Sequence, residues 1–464
     1  MENDFYSHAL LREKTTMTRR KESRIYAEEF GGDITTGEAS LEAICKCNLL
    51  NISKTGFCVS ACDADKLQAG VLADVKLILP GNHCVCVQCR IVKVENTHAS
   101  FQIIKIGIGE EHLNRLIEGV LTERTRRNIH PPRKWADAEQ HFNSTLGHSW
   151  YNLLFRIYGE IVYVTNDFYR KRKYVPALMP ITVESVSSPM GLGSDSLPVK
   201  VDLFGKSTYL ADSMQFQLEY LLRQNAPGVF YIMPTFRGED PDTRHLNQFF
   251  HSEAEIQGTL DDVMPLIEEY LVELSESMLV HFEKDIARHA KGDISHIKYF
   301  LSRAGKLPRV SYEEASAMLG NNPNYYSNLS GGLKCISRHG EQELMRRFKG
   351  FVWIIYPPHG VVPFYQAFSA DGRHARAADL LMGIGETVGC GERHLGHTEL
   401  KKALDLHNIG HSEYAWYIHM KEAYPMQSSG FGLGLERYLL WLLRHDDIRD
   451  MAIFSRLKGI RAIP

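Results

Sequence analysis

GFGLGLERYLLW, at Gly430–Trp441, brings three alternate glycines up to a Glu-Arg pair and an apolar, helix-like segment. Gly430, Gly432 and Gly434 have no side chains, so a ligand can lie directly against the backbone there. Arg437 follows at the predicted start of a helix, where backbone N–H groups and a guanidinium both favour an anionic phosphate. A glycine-rich strand-to-helix turn is also a common packing device. Its interpretation therefore depends on partner residues elsewhere in the chain.

Length and composition describe an ordinary globular protein with more than one domain. The chain has 464 residues, of which 44% are hydrophobic and 23% are charged, and this suits two or three domains with their own cores. The formal net charge of −3 gives no overall signature of nucleic-acid binding. The first twenty residues are too charged for a signal peptide, and no later apolar run could span a membrane. We therefore expect a cytoplasmic protein with no membrane or DNA partner.

The N-terminal part of the chain consists of short β-like runs separated by turns. Their spacing is typical of a small barrel, and they cover residues 49–60, 71–79, 85–94 and 99–106. A short amphipathic helix is predicted to follow them. Residues 1–18 are predicted to be a mobile tail. Residues 123–136, which are basic and contain two adjacent prolines, are predicted to be a linker.

Two motifs in this region resemble those of the PilZ domain, a β-barrel that binds cyclic di-GMP. The matching residues are Arg19, Arg20 and Arg24 of a basic RxxxR arm, and Asn51, Ser53 and Gly56 of a D/N-x-S-x-x-G turn. Guanidiniums bind phosphates bidentately, and asparagine and serine offer further hydrogen bonds. The resemblance implies a PilZ-like β-barrel over residues 19–122, with cyclic di-GMP as an effector. The alternatives are a PilZ barrel that has lost nucleotide binding, and an OB-fold, which is also a small barrel.

A helix with one buried stripe is predicted from Trp150, because apolar residues recur there at intervals of three and four. A basic cluster, a short strand-like segment and Pro180 follow it. This order of helix, strand and proline resembles motif 1 of the class II aminoacyl-tRNA synthetases, in which the proline lies at the dimer interface. The resemblance implies a homodimer with Pro180 near its two-fold axis.

The segment PTFRGEDPDTRHLNQFFHSEAEIQG, residues 234–258, follows a strand-like run. It closely resembles motif 2 of the class IIb synthetases, especially the asparaginyl type. The roles that the resemblance implies are α-phosphate and substrate-carboxylate binding for Arg237, adenine binding for Glu239 and Phe249, outer-phosphate binding for Arg244 and His245, and amino-acid binding for Glu253. A solvated loop with surface ion pairs is the usual alternative for such a charged stretch. It does not account for these residue types at these intervals.

Further segments are similar to the same family. Residues 210–219 (LADSMQFQLE) resemble its SxQL element, residues 309–319 look asparaginyl-type, residues 379–393 (DLLMGIGETVGCGER) resemble the segment before motif 3, and the opening stretch resembles motif 3. The implied roles are amino-acid binding for Ser213, Gln215 and Arg393, Mg²⁺ binding for Asp379 and Glu386, ATP binding for Glu386, Gly432, Gly434 and Arg437, and catalysis for Arg237 and Arg437. Carboxylates are hard oxygen ligands suited to Mg²⁺ on nucleotide phosphates.

Together these segments imply that residues 137–464 form a class II synthetase catalytic domain. Its fold class is α+β, an antiparallel sheet flanked by helices, preceded by the small PilZ-like β-barrel. The implied reaction is attack of an Asn/Asp-like amino-acid carboxylate on the α-phosphate of ATP. It gives an aminoacyl-adenylate and pyrophosphate, and it depends on positioning and charge neutralisation.

Departures from the family pattern cluster around the predicted amino-acid pocket. The glutamate expected after motif 1 is not visible in residues 187–195, Gln248 replaces a glutamate, and Cys390 replaces a small residue. Leu218 and Glu219 follow the asparagine type. We therefore expect an amino-acid-activating ligase that works outside translation and responds to cyclic di-GMP. The alternatives are a tRNA-independent asparagine synthetase using aspartate and ammonia, a working asparaginyl-tRNA synthetase, and a catalytically inactive nucleotide-binding regulator.

Overall fold

The computed structural model describes residues 25–26, 47–52, 56–61, 67–79, 83–95, 98–107, 111, 131, 135, 145–146, 148–188, 196–329 and 332–461. The chain divides into two compact units after Asn128. Outside the described residues lie the predicted tail, most of the predicted linker, and the side chains Arg19, Arg20, Arg24 and Ser53, which were predicted to bind cyclic di-GMP. Within the described part of the chain, no helix has the length and apolar character needed to cross a membrane.

The first unit contains a six-stranded antiparallel sheet in the order β1-β2-β3-β6-β5-β4. Its strands are β1 Ile25–Tyr26, β2 Cys47–Ile52, β3 Gly56–Ala61, β4 Leu72–Leu79, β5 His83–Glu95 and β6 His98–Ile106. The run predicted at residues 49–60 is two paired strands rather than one. Asn51 lies in β2 without a described side chain. Along β5 the side chains alternate, with Val85, Val87, Cys89 and Ile91 buried, as expected for a strand with one core face.

Gly56, predicted to bind cyclic di-GMP, has a packing role at the start of β3. A Cβ atom at this position would lie 2.4 Å from the backbone oxygen of Phe101 on the neighbouring strand β6. The close approach of the two strands therefore accounts for this glycine without a ligand.

The second unit is built on an eight-stranded sheet with helices around it. A three-stranded sheet (β8-β10-β9) and a two-stranded sheet (β14-β15) accompany it. The strands of the unit are β7 Val175–Pro176, β8 Thr182–Val183, β9 Val199–Leu203, β10 Lys206–Leu210, β11 Gly228–Phe236, β12 Gln248–Gln257, β13 Arg309–Ser311, β14 Tyr326–Asn328, β15 Lys334–Ile336, β16 Phe351–Ile355, β17 Ala377–Met382, β18 Gly385–Glu392 and β19 Ser428–Gly434. Its helices are α1 Ser149–Lys171, α2 Gln215–Leu222, α3 Leu260–His289, α4 Ser295–Ser302, α5 Tyr312–Leu319, α6 Arg338–Arg347, α7 His397–Leu406, α8 Ala415–Ala423 and α9 Leu435–Leu442.

The large sheet has the order β13-β16-β17-β18-β19-β12-β11-β7. Its inner neighbours are antiparallel, whereas the two edge pairs, β13 with β16 and β11 with β7, are parallel. The predicted α+β architecture, an antiparallel sheet flanked by helices, is therefore confirmed, with parallel strands added at both edges.

One face of the sheet packs against the long helices α1 and α3. The predicted apolar stripe of α1 is buried, from Leu153 to Phe168. It shares the main core with side chains of α3 and with Ala254, Phe431 and Leu433 of the central strands. Side chains alternate between the two faces of a strand. The residues next to Ala254, Phe431 and Leu433 in their strands therefore point to the opposite face of the sheet.

The glycine-rich stretch forms a strand, and the expectation of a strand-to-helix turn is wrong. Gly430, Gly432 and Gly434 lie within β19, and α9 begins at the next residue, Leu435. The register pairs these glycines with Glu255, Glu253 and His251 of β12. Alternate glycines in an extended strand all leave the same face without side chains.

We expect Gly430→Ala to destabilise the second unit far more than Gly432→Ala. A methyl group at Gly430 would lie 1.8 Å from Glu255 Oε2 and 2.7 Å from the Ala254 backbone oxygen. At Gly432 the nearest atom is Glu253 Oε1, at an ordinary 3.5 Å. The free energy of unfolding should fall by about 3 kcal/mol in the first variant and by less than about 1 kcal/mol in the second.

Urea unfolding followed by tryptophan fluorescence measures this difference, because all five tryptophans lie at or after residue 135. Equal unfolding midpoints for the two variants would contradict the packing described here.

Candidate active site

A cavity of about 310 Å³ lies on the face of the large sheet opposite the main core. The structure brings together there every residue predicted to bind ATP, the amino acid or Mg²⁺: Ser213, Gln215, Arg237, Glu239, Arg244, His245, Phe249, Glu253, Asp379, Glu386, Arg393, Gly432, Gly434 and Arg437. These residues come from segments up to 224 positions apart in the sequence (213 to 437). Their convergence is a structural finding, and their individual roles stay predictions.

The floor of the cavity is bare backbone on two adjacent central strands. A row of paired residues crosses the sheet as Glu253, Gly432, Gly389 and Asp379. The next row contains Gly430 beside Gly391. We call Gly389, Gly391, Gly430 and Gly432 the glycine floor. Because strands lie about 4.8 Å apart, the Cα atoms of the two acids that flank it are roughly 14 Å apart.

The cavity face of β12 carries a ladder of functional side chains. Phe249, His251, Glu253 and Glu255 alternate with residues that face the core. Among the latter, Ser252 Oγ lies 3.0 Å from the Tyr270 hydroxyl of α3. Two residues along a strand span about 6.8 Å, so the ladder runs from the predicted adenine end to the predicted amino-acid end in regular steps.

Unsatisfied polar atoms lie at the end of the cavity where the nucleotide is predicted to bind. Arg237 Cζ lies 5.6 Å from the centre of the Phe249 ring. The Nε atoms of Arg237 and Arg244, and Oε2 of Glu239, are buried without a hydrogen-bond partner among the described residues. Unpaired buried polar atoms are costly. Two guanidinium donors and one carboxylate acceptor therefore suit a ligand with phosphates and an amino-bearing ring.

Three guanidiniums lie close enough to affect one another beside these atoms. Burial lowers the pKa of Arg437, and the nearby Arg244 and Arg237 lower it further, while Glu386 opposes them. The pKa of His245 is lowered by burial and by Arg437. Arg244 Nη2 is held by Glu341 Oε2 at 3.1 Å, a partner that the sequence did not reveal. An anion bound here would balance the charge.

Asp379 and Glu386 extend over the same floor residue. A Cβ atom on Gly389 would lie 2.8 Å from Glu386 Oε1 and 3.5 Å from Asp379 Oδ1. Burial raises the pKa of Asp379 well above its ordinary value, and the negative charges of Glu386 and Glu341 raise it further. Two carboxylates that repel each other beside a phosphate site provide hard oxygen ligands for a cation.

Mg²⁺ fits this donor set. It is usually bound through one or two carboxylates together with substrate phosphates. Among the described residues, no group of three or more His, Cys, Asp or Glu side chains is arranged to hold a metal ion without such a ligand. Arg437 Nη1 donates to the backbone oxygen of Glu386 at 2.5 Å, which links the acidic pair to the phosphate end.

Glu253 is fixed at the amino-acid end. Its Oε2 accepts hydrogen bonds from Ser213 Oγ at 2.6 Å and from the Tyr231 hydroxyl at 2.5 Å. Its Oε1 lies 2.9 Å from His251 Nδ1. Burial alone would raise the pKa of Glu253, but its contacts with His251, Ser213 and Tyr231 hold the pKa below the ordinary value. This carboxylate is therefore an ionised, oriented acceptor.

Arg393 is buried at the far end of the ladder with its charge already matched. Its Nε and Nη2 donate to Glu255 at 3.1 and 3.0 Å, and its Nη1 donates to Gln366 Oε1 at 3.1 Å. Its Cζ lies 5.2 Å from the Tyr365 ring centre. Burial, followed by repulsion from Glu219, raises the pKa of Glu255 to about 7 even though Arg393 opposes the shift.

Several cavity residues were not identified from the sequence. His251 in the cavity lining, and Glu255 behind it as the partner of Arg393, could have been found, because they alternate with Phe249 and Glu253 in one strand. Asp212 and Gln366 gave no comparable signal. Asp212 accepts hydrogen bonds from Ser187 and Ser188. Residues 189–195, which belong to the segment where the family's glutamate was expected, lie outside the described part of the chain.

Comparison with known proteins identifies the family. The family model for tRNA synthetases class II (D, K and N) matches residues 143–458. The asparagine–tRNA ligase of Malacoplasma penetrans is 30% identical over 322 residues, which cover 67% of this chain and 71% of the relative. That of Thermoplasma acidophilum is 27% identical over 297 residues, which cover 62% of this chain and 66% of the relative.

Solved structures share the fold. The asparaginyl-tRNA synthetase of Pyrococcus horikoshii, complexed with asparaginyl-adenylate, is 21% identical with a TM-score of 0.64, and the match covers 96% of each chain. A putative aspartyl-tRNA synthetase from Leishmania major is 17% identical with a TM-score of 0.58, covering 96% of this chain and 91% of that one. The chain therefore belongs to the class II aminoacyl-tRNA synthetases of the D, K and N type, a family of ATP-dependent ligases that activate amino acids.

Proposed function

We propose that this chain activates an Asn/Asp-like amino acid with ATP, forming an aminoacyl-adenylate and pyrophosphate. The observation that carries the proposal is the gathering of Arg237, Arg437, Asp379 and Glu386 around the glycine floor in one cavity. An amino-acid carboxylate oxygen attacks the α-phosphorus, and the bond from that phosphorus to the pyrophosphate oxygen breaks. The nucleophile is already ionised, so this step needs positioning and charge neutralisation rather than a protein base.

We assign each residue a role from its position in the cavity. Phe249 and Glu239 hold the adenine ring, and the guanidiniums of Arg237, Arg244 and Arg437 bind the phosphates. Asp379 and Glu386 would hold Mg²⁺, which when bound neutralises phosphate charge and orients the leaving pyrophosphate. Within the glycine floor, Gly389 and Gly432 line the cavity and would let the nucleotide and the amino acid lie against the backbone.

The charge at the amino-acid end supports a neutral substrate side chain. Arg393 is already paired with Glu255, and both are almost completely buried. A second carboxylate, as in aspartate, would add an unmatched negative charge at a desolvated site. A side-chain carboxamide, as in asparagine, would add no charge. We therefore propose asparagine or a close neutral analogue as the preferred amino acid.

The acceptor of the activated amino acid distinguishes two candidate functions. Transfer outside translation is supported only by departures from the family's sequence pattern, because Gln248 on β12 and Cys390 on β18 occupy strand positions that face the core and not the cavity. A working asparaginyl-tRNA synthetase is supported by the similarity to asparagine–tRNA ligases. Regulation by cyclic di-GMP involves mostly residues outside the described part of the chain and stays a prediction.

Arg237→Ala is expected to lower the rate of ATP–pyrophosphate exchange by at least about 100-fold, because a fixed donor to the reacting phosphate is lost. Exchange is measured with asparagine, aspartate and the other amino acids in turn. Arg373→Ala is the matched control, because the Arg373 side chain is 80% exposed and does not line the cavity. Exchange by Arg237→Ala within threefold of wild type would contradict the proposal.

Asp379→Asn is expected to abolish Mg²⁺-dependent exchange while stabilising the ligand-free protein by about 1 kcal/mol. The folded-state pKa of Asp379 is raised, so its ionisation costs stability as the pH rises from the unfolded value, about 3.9, through the folded one. The stability gain should therefore be present at neutral pH and vanish below about pH 4. Urea unfolding at several pH values measures it. A variant less stable than wild type at neutral pH would contradict the assigned repulsion.

A homodimer is expected, with a mass near twice 52.8 kDa. The segment that resembles motif 1 exposes large apolar side chains: Phe155 is 70%, Tyr163 69% and Leu178 99% exposed. Covering such residues is the usual reason for association. Leu178→Asp should shift the mass measured by light scattering towards the monomer. Phe204→Asp, at a 96% exposed residue outside this segment, is the control and should stay dimeric. A monomeric wild-type protein would overturn the expectation.

A further inference from the structure

His251 stands in the middle of the cavity ladder with its ring held on two sides. Its Nδ1 lies 2.9 Å from Glu253 Oε1, within ion-pair distance but without hydrogen-bond geometry among the described residues, and its side chain is 15% exposed. Its ring meets the Phe249 ring edge-on, with centroids 4.9 Å apart and an interplanar angle of 84°. On β19 its partner is Gly434, which has no side chain to cover the imidazole.

The partner carboxylate is itself immobilised. Glu253 accepts hydrogen bonds from Ser213 and Tyr231 through its other oxygen, and these contacts keep it ionised. An ionised carboxylate facing Nδ1 favours the tautomer with the proton on that nitrogen. In the neutral ring, Nε2 then carries the lone pair. A nitrogen base oriented by a third group is the arrangement that activates nucleophiles in enzymes.

The adenylation step requires no proton transfer by the pair His251 and Glu253. Its nucleophile is a carboxylate and its leaving group is pyrophosphate, so the bonds that change involve only phosphorus and oxygen. Proton transfer enters when an acceptor bearing an N–H or O–H group attacks the activated acyl carbon. A His-carboxylate pair at the reacting centre therefore has its use in that second step. This reasoning rests on the proposed amino-acid activation.

The position along β12 suits such a role. His251 is one two-residue step, about 6.8 Å, from Phe249, where the adenine would stack. It is one such step from Glu253, at the amino-acid end. The acyl-phosphate bond of an adenylate lies between its base and its amino acid. Arg237, which would bind the phosphate, lines the same cavity.

We propose that His251 is the general base for transfer of the activated amino acid to an amine. The amine nitrogen lone pair forms the new C–N bond while the carbonyl π pair moves to oxygen. Nε2 of His251 removes one proton from the resulting ammonium. The carbonyl then re-forms as the C–O bond to phosphate breaks, and AMP leaves with that electron pair. The products are an amide and AMP, and the imidazolium returns its proton to solvent.

An amine suits this base better than a hydroxyl. Imidazole changes charge near neutral pH, and α-amino groups titrate only about 1–2 pH units higher. A proton can therefore pass between them readily at neutral pH. An amine nitrogen can attack with its own lone pair and lose its proton afterwards, whereas a hydroxyl has to lose its proton as the new bond forms.

His251→Gln tests the proposal in two assays on the full-length protein. One is ATP–pyrophosphate exchange. The other is single-turnover transfer from enzyme-bound adenylate to ammonium chloride or methylamine, followed as amide and AMP between about pH 6 and about pH 9. The transfer rate divided by the exchange rate should fall by about 100-fold or more. This fall should be found at every pH in that range. Free imidazole should restore transfer in His251→Ala.

His281→Gln is the matched control. His281 also faces a carboxylate, with Nε2 3.6 Å from Glu160 Oε1, but its side chain is 55% exposed and lies outside the cavity. Both rates should match wild type. An unchanged ratio in His251→Gln overturns the role of His251, as does wild-type transfer to tRNA without any transfer to amines. Absence of wild-type exchange with every amino acid overturns the proposed function instead.

Discussion

The adjacent strands β18 and β19, at the centre of the large sheet, present backbone without side chains to the cavity. The other cavity residues are arranged around this open surface. On β18 and β19, glycines on one face alternate with core residues such as Cys390, Phe431 and Leu433 on the other. A glycine within a strand costs roughly 0.5–1 kcal/mol. The cost is offset by the apolar face, which packs against the helices. The same two strands can therefore hold the core together and leave room for ligands.

The glycine floor serves two purposes at its two ends. Above Gly430 and Gly391 the space is already taken, because Cβ atoms there would lie 1.8 Å from Glu255 Oε2 and 2.0 Å from Gln366 Oε1. These glycines make room for the network around Arg393. Gly432, in contrast, has only ordinary contacts around it, and the space above it belongs to the cavity. Side chains of the protein thus fill one end of the floor, and a ligand would fill the other.

The charged side chains also differ between the two ends of the floor. Behind the amino-acid end, Arg393 is matched by Glu255, and Lys421 lies 2.5 Å from Glu219, with both partners completely buried. Buried pairs of this kind are costly to break, because the remaining charge has no water around it. At the nucleotide end the guanidiniums and the acidic pair have charges that their neighbours match incompletely. That imbalance is the physical basis for proposing a phosphate-bearing ligand with a divalent cation there.

The sequence alone determined the local features: the strand and helix periods, the alternate glycines, and the residue types whose spacing resembles known motifs. These depend on neighbours within a few positions, which a sequence displays directly. Only the tertiary structure decided that GFGLG is a strand and not a turn, because pairing with β12 and β18 extends it. It also revealed Glu341 as the partner of Arg244, and Gln366 and Glu255 as the partners of Arg393. Such contacts join residues far apart in the chain, and they arise from strand register and packing, which a single sequence does not specify.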